Sequence, residues 1–389
     1  MVMDNMYRYN DCFTYDATCQ IPRPTLVEIH IADIHFGAMD PKVQYDILVD
    51  QFLNKVASIH FDLFCINGDL FHHKFMSNSD VILYASTFID NVVQLCKREN
   101  ATLIILHGTA SHDANQLKLF YHYLMDPLID IRIIENTQFI TAKGKRILCI
   151  PEEYNMGAQY YYQFLSNGLY DSVCMHGTLK GAIYGCDEED LNSSKNPTFS
   201  LNSFVNCRGP VIAGHVHVAG CYEGHMYYSG SPLRWQFGEE QAKGFLIVLH
   251  NLNTQQYTVD MQEITSFRYD TINLDDMVKC DPQEVIRYLT NLKANGVDFV
   301  KVRFTQGGPT VNALKSYYKT NNNVIIDTAD VQFQETVKEN QKNNEMYEEY
   351  SYIFDQNLSE YDILTRYINQ QKGEEYITVD ELMRIVNEL

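Results

Sequence analysis

The sequence has no apolar run near the ~20 residues needed to span a bilayer, no cysteines paired as CxxC, and little positive charge: 30 Lys and Arg stand against 50 Asp and Glu, a formal charge of −20. The first absence predicts a protein that does not enter a membrane. The second leaves 10 scattered cysteines, and Cys65, Cys149 and Cys174 fall within apolar, strand-like segments. They read as buried thiols in a reducing, cytoplasmic compartment. The third argues against indiscriminate binding to a polyanion, since the field of the whole chain repels one. A bound cation or a local basic patch keeps a nucleic-acid substrate open. The first 20 residues lack the basic start and apolar core of a secretory signal and read as an extension before the first strand. What is present is 45% hydrophobic and 12% aromatic content over 389 residues, enough for a large α/β core with smaller additions.

Taken in order, the chain alternates strands and helices, and the strands end in Asp or His. A strand at 26–31 runs into Asp33-Ile34-His35, while His30 lies inside it and reads as structural. Helical spacing over 41–59 leads to a strand at 63–66 that opens into Gly68-Asp69. Helical spacing from Val81 to Cys96 leads to a strand at 103–106, followed by His107, Gly108, His112 and Asp113, and then by a helix with Leu117, Phe120, Tyr121 and Leu124 on one face. A strand at 146–150 ends in Pro151-Glu152-Glu153, one at 172–175 ends in His176, and the apolar run Val211-Ile212-Ala213 empties into Gly214-His215-Val216-His217. The polar segment 181–204 reads as a long loop. Strands at 244–250 and 256–264 look antiparallel, so the layout is two sheets packed face to face with helices outside.

Four parts follow: an extension 1–24, a catalytic domain 25–264, a small α/β module 265–330 and an acidic tail 331–389. The tail carries two amphipathic segments, one with Ile363, Leu364, Tyr367 and Ile368, the other opened by the capping box Thr378-Val379-Asp380-Glu381. Such helices pack on their own domain or on a partner.

Asp33, His35, Asp69, His112, His176, His215 and His217 all follow strands, where ligands gather in open α/β sheets. Mixed carboxylate and imidazole donors without cysteine suit Mn²⁺, Fe²⁺ or Zn²⁺. They are too many for one ion. A pair of ions bridged by a carboxylate is the arrangement that hydrolyses phosphate esters. On spacing alone, His112 cannot be told from a ligand.

The ordered series Asp33-x-His35, Gly68-Asp69, His112-Asp113, His176 and Gly214-His215-x-His217 resembles the calcineurin-like metallophosphoesterases. Within them, Gly68-Asp69-Leu70-Phe71-His72 and Gly230-Ser231-Pro232-Leu233-Arg234, followed by Phe237-Gly238-Glu239-Glu240, are similar to the Mre11/SbcD DNA-repair nucleases. The resemblance implies a four-layer α/β/β/α sandwich with a small α/β capping domain and a helical C-terminal tail. It implies two divalent ions, Mn²⁺ foremost: Asp33, His35 and His217 hold one, His176 and His215 the other, and Asp69 bridges them. His112 becomes the non-ligand histidine beside the scissile phosphate. The activity implied is exonuclease on duplex DNA and endonuclease on single strands, in a homodimer whose C-terminal helices bind a Rad50/SbcC-like coiled-coil ATPase. A short chain of this kind fits a viral gene, acting in the host cytoplasm.

The sequence departs from the family at one place. The family reads Gly-Asn-His-Asp after the third strand, the asparagine completing the second ion's ligands, whereas Thr109-Ala110-Ser111 separates Gly108 from His112 here. With Ser111 or a water substituting, weak or metal-selective occupancy of the second site is expected. Two other readings compete with the nuclease: a phosphoesterase acting on nucleotides or phosphoproteins, and a scaffold with a degenerate metal site.

Overall fold

The computed structural model describes residues 25–182, 191, 197–239, 241–319 and 323–328. The extension 1–24 and the tail helices beyond 330 lie outside them. The chain divides into two units, Met1–Asp270 with Gly296–Asp298, and Thr271–Asn295 with Phe299–Leu389.

The first unit begins with β1 (Thr25–Ile31). Asp40 then caps α1 (Pro41–Ile47), its carboxylate accepting from the backbone N–H of Lys42 and Val43. The helical path continues through a π-helical stretch, Leu48–Leu53, into α2 (Asn54–Val56). After β2 (Leu63–Asn67) comes the long α3 (Asp80–Glu99), capped by Ser79 and ended by Asn100 in the left-handed conformation. β3 (Thr102–Leu106) precedes a segment that differs from expectation: Gln116–Met125 is a 3₁₀ helix, not an α-helix. Its buried Leu117 and Phe120 are three residues apart, the spacing a three-residue turn keeps on one face, while Leu124 is exposed.

β4 (Asp130–Ile134), β5 (Gln138–Ala142) and β6 (Lys145–Ile150) follow. The turn between β5 and β6 places Lys143 and Gly144 at positive φ, as a two-residue hairpin requires. Then come α4 (Ala158–Leu165), β7 (Ser172–His176) and β8 (Thr178–Leu179). Within 181–204, read from sequence as loop, β9 (Thr198–Phe199) pairs in parallel with β8 and buries Phe199. β10 (Val211–Gly214), β11 (Gly220–Tyr222), β12 (Met226–Tyr228), β13 (Gly244–Asn251) and β14 (Gln256–Glu263) complete the unit's two large sheets.

The sheets run β14-β13-β1-β2-β3-β4 and β11-β12-β10-β7-β6-β5, six strands each. Strands β1 to β4 are mutually parallel, as are β6, β7, β10 and β12; β13 runs antiparallel to β1, and β5 and β11 close the second sheet antiparallel to β6 and β12. Parallel strands covered on both faces read as unbroken apolar runs, and Leu63-Phe64-Cys65-Ile66 shows why. Leu63 and Cys65 join Ile104, Ile147, Cys149 and Cys174 in a core lined by both sheets. Phe64 and Ile66 face the other way, into a core with Phe52 and Phe88 of the helices. On the second sheet, Val173, Met175 and Val211 pack with Tyr161 and Leu165 of α4. Among the described residues no helix is long and apolar enough to cross a membrane.

A three-stranded sheet follows, β15 (Tyr269–Asn273), which begins in the last two residues of Met1–Asp270, then β16 (Phe299–Phe304) and β17 (Val324–Thr328) of the second unit, which also holds α5 (Pro282–Ala294) and α6 (Pro309–Tyr317). Val285 and Leu289 of α5, Val300 and Val302 of β16, and Leu314 of α6 are buried.

Candidate metal centre

Three parallel strands from each large sheet deliver their carboxyl ends to one place. β1, β2 and β3 lead to Asp33 and His35, Asp69, and the Gly108–Asp113 turn; β6, β7 and β10 lead to Glu152, His176, and His215 with His217. Four of these residues have left-handed backbone: Asp33 (φ 52), His35 (φ 50), Asp69 (φ 52) and His215 (φ 101). Such conformations cost about 1–3 kcal/mol each in a non-glycine residue and persist only where neighbours hold them. Here the Asp33 and His35 N–H groups donate to the carbonyls of Gly68 and Asp69 at 3.1 and 3.0 Å. Gln44, buried in α1, donates to the carbonyls of Ile34 and His35 at 2.6 and 3.2 Å.

Asp33, His35 and His217 form one cluster whose donor atoms lie within 4.8 Å of one another. The Nε2 atoms of His35 and His217 face each other at 3.2 Å, and His35 Nε2 is 3.5 Å from an Asp69 oxygen. Trp235 packs its ring 5.0 Å from His35 and 4.9 Å from His217. Beneath His217, buried Lys243 donates to the His217 carbonyl at 3.0 Å, to Ser231 Oγ at 2.8 Å and to Glu239 at 3.1 Å.

A second cluster contains Glu152, His176 and His215, and a third, Asp33, Asp69 and His176, joins the two sides. Asp69 Oδ2 is 3.4 Å from His176 Nε2 and 3.5 Å from His35 Nε2, so one carboxylate reaches both. The Nδ1–H of His176 donates to the Asn67 carbonyl at 2.7 Å, which leaves Nε2 as the donor turned to the cluster. An imidazole that gives its other N–H to a backbone carbonyl is held as a metal ligand is held. Asp113 is not a ligand candidate: its carboxylate accepts the N–H groups of Asp69, Phe71 and Gly108 and so fixes the turn that carries them.

Electrostatics test whether a cation fits. Burial raises the Asp33 carboxyl above its ordinary range, and Asp69 adds to this against the pull of His176 and His217. Burial works against the His176 cation, yet Asp69, Asp33 and Glu152 outweigh it and push that imidazole well above its usual value. A proton on His176 thus takes the positive charge that the carboxylates call for. Burial likewise drives the His35 imidazole well down, which keeps it a neutral donor. Carboxylates concentrated in a buried site, with imidazole lone pairs turned toward each other, suit bound divalent cations.

The structure therefore brings Asp33, His35, Asp69, His176, His215 and His217 together. His217 stands with Asp33 and His35; His215 stands with His176 and Glu152. His112 sits at the rim, its ring 4.6 Å from His35, with Nδ1 bonded to the His72 carbonyl. Ser111 is exposed. It is Thr109 whose hydroxyl lies 2.8 Å from Glu152 Oε2 and 3.3 Å from Asp69 Oδ2. Sequence reasoning passed over Glu152, although it follows a strand as the other candidates do. The adjacent Glu153 obscured it, and the structure separates the two: Glu153 turns away to Thr137 and Tyr160.

Residues 29–219 match the family model for calcineurin-like phosphoesterases. A protein named "Putative phosphoesterase 244L", of Invertebrate iridescent virus 6, is 25% identical over 227 residues, which is 57% of this chain and 76% of that protein. A solved crystal structure aligns with 62% of this chain and 100% of its own at 11% identity, with a TM-score of 0.37, too low to bear on the fold.

Proposed function

For a chain that carries a calcineurin-like phosphoesterase domain over residues 29–219, we propose a two-metal phosphodiesterase that cuts DNA in the manner of the Mre11/SbcD nucleases. The observation that carries the reading is the row of clusters sharing members: Asp33 with His35 and His217, Asp33 with Asp69 and His176, and His176 with Glu152 and His215. Asp33, His35 and His217 would hold one ion, His176 and His215 the other, and Asp69 both; Mn²⁺ suits these donors. When bound, a pair of divalent ions supplies Lewis acidity toward phosphoryl oxygens and lowers the pKa of water. The chain's own residues do the rest. His112, with its ring 4.6 Å from His35 and Nδ1 committed to the His72 carbonyl, would use its other nitrogen to stabilise charge or protonate the leaving oxygen. Trp235 and the Lys243 contacts keep His217 in place.

On this reading the two sheets and their helices are the family's four-layer sandwich, the module from 265 to 330 is a cap that positions DNA, and the tail from 331 onward binds a Rad50/SbcC-like ATPase in a homodimeric assembly. Arg234 and Arg268 line a cavity of about 610 Å³ together with Glu239, Asp270 and Asp298, and Arg268 is paired with Asp270 at 2.9 Å. One observation favours a second reading, hydrolysis of small phosphoesters: the formal charge of −20 repels a polyanion. The test is digestion of end-labelled duplex and single-stranded DNA with Mn²⁺, beside nucleotides and a phosphopeptide. The nuclease reading expects DNA cleavage that weakens steeply as salt rises. Hydrolysis of nucleotides or phosphopeptide with DNA left intact would replace it with the second reading.

A further inference from the structure

The Gly108–His112 turn lacks the asparagine that would complete the second ion's ligands, and the structure shows what stands there instead. Thr109 follows Gly108, and its N–H is spent on Asp69 Oδ1 at 2.6 Å. Its hydroxyl is 3.5 Å from His176 Nε2 and 2.8 Å from Glu152 Oε2. Glu152 enters from the opposite sheet, at the end of β6, with its backbone N–H on the His107 carbonyl at 3.3 Å. Its Oε2 lies 3.4 Å from His215 Nδ1 and 3.6 Å from His176 Nε2, and its Oε1 accepts from the Tyr154 hydroxyl at 2.9 Å. One oxygen is thus anchored by a tyrosine, and the other is turned among the donors of the second cluster.

We infer that Glu152 is a ligand of the second ion, a carboxylate from β6 doing the work that an asparagine amide after β3 does in the family. The inference rests on the two-ion reading above. It gives both ions the same kind of donor set: Asp33, His35 and His217 with shared Asp69 on one side, Glu152, His176 and His215 with shared Asp69 on the other. Replacing a neutral amide oxygen by a carboxylate adds a negative charge, which strengthens the hold on a divalent cation. The second site is then no weaker than the first, and both take the same metal.

The sole tryptophan allows the two sites to be followed separately, because Trp235 lies against His35 and His217 of the first. The experiment titrates Mn²⁺ into chelator-stripped full-length protein, with calorimetry counting ions, Trp235 fluorescence following the first site, and electron paramagnetic resonance reporting spin coupling between two Mn²⁺. Wild type should bind two ions of similar affinity and show a coupled spectrum. Glu152→Ala and the volume-filling Glu152→Leu should keep the fluorescence transition and lose the coupled spectrum. Their second-ion affinity should drop by more than the about 100-fold that loss of a supporting hydrogen bond costs a metal site. Melting curves in chelator verify that each variant is folded, and either folded variant decides the matter. Two ions bound with wild-type affinity by a folded variant would overturn the role of Glu152 and leave the two-ion reading intact; loss of both ions from a folded variant would overturn it as a second-site ligand. Fewer than two ions on wild type would overturn the two-ion reading, and this inference with it.

Discussion

Lys145 is fully buried between the two large sheets, its ammonium on Glu28. Glu28 also meets His30 Nε2 at 3.2 Å, and the other ring nitrogen of His30 lies 3.2 Å from the Asn67 amide, two residues before Asp69. Burial alone would raise the Glu28 carboxyl, but Lys145 and His30 pull harder, and it settles at about 2 against an ordinary 4.5. A carboxyl held below its unfolded value stabilises the fold above that value, and the contribution is lost as pH falls from 4.5 toward 2. Breaking one partner of a buried pair costs about 3–5 kcal/mol because the other charge is stranded, whereas an apolar pair of similar size is often neutral or better. Lys145→Met is therefore expected to lower stability by about that amount in urea unfolding. Combining it with Glu28→Leu should restore most of the loss and flatten the acid limb. A double variant no more stable than Lys145→Met would show that the pair is not the unit of stability.

At the scale of elements, the centre exists because strand ends from two sheets approach more closely than side chains allow. A Cβ on Gly214 would lie 2.2 Å from the Asn67 carbonyl oxygen, joining β10 to β2 across the sheets; within the first sheet, one on Gly108, after β3, would lie 2.2 Å from the N and Oδ1 of Asp69, after β2. Gly214→Ala should thus part the sheets at the site and cut Mn²⁺ affinity by at least about tenfold, the lower end of what losing a ligand's support costs. Calorimetry on the folded variant checks this, and unchanged affinity would mean that the strand ends can separate freely. These contacts also explain what was legible in the sequence. Apolar runs ending in Asp or His mark β1, β2, β7 and β10 because a parallel strand buried on both faces has one kind of sequence and its end has another. The loop after β6 was harder to read, since Glu152 and Glu153 are alike as letters and differ only in which neighbours they meet. The 3₁₀ geometry of Gln116–Met125 was hidden for another reason: Leu117 and Phe120 satisfy both a three-residue and a 3.6-residue period. The edge strand β4 buries only Ile131 and Ile134 fully and mixes them with exposed Asp130 and Arg132, too short and irregular a pattern to stand out.

For the whole molecule, 50 acidic against 30 basic residues set the terms on which a phosphate-bearing substrate arrives. Two divalent cations would add four positive charges at the floor of the site, so attraction is local while the surrounding field repels. The account therefore makes phosphoester chemistry depend on metal more than on surface charge, and a small diester with little charge isolates that claim from any question of partner or DNA affinity. The direct measurement is hydrolysis of bis(p-nitrophenyl) phosphate by chelator-stripped full-length protein, with and without added Mn²⁺, beside the Asp69→Asn variant. Turnover is expected only with Mn²⁺, and Asp69→Asn is expected to lower kcat by about 100-fold or more, because the ions that would stabilise the transition-state charge lose the carboxylate they share. Equal rates from both proteins, or turnover that persists in chelator, would contradict a metal centre built on Asp69.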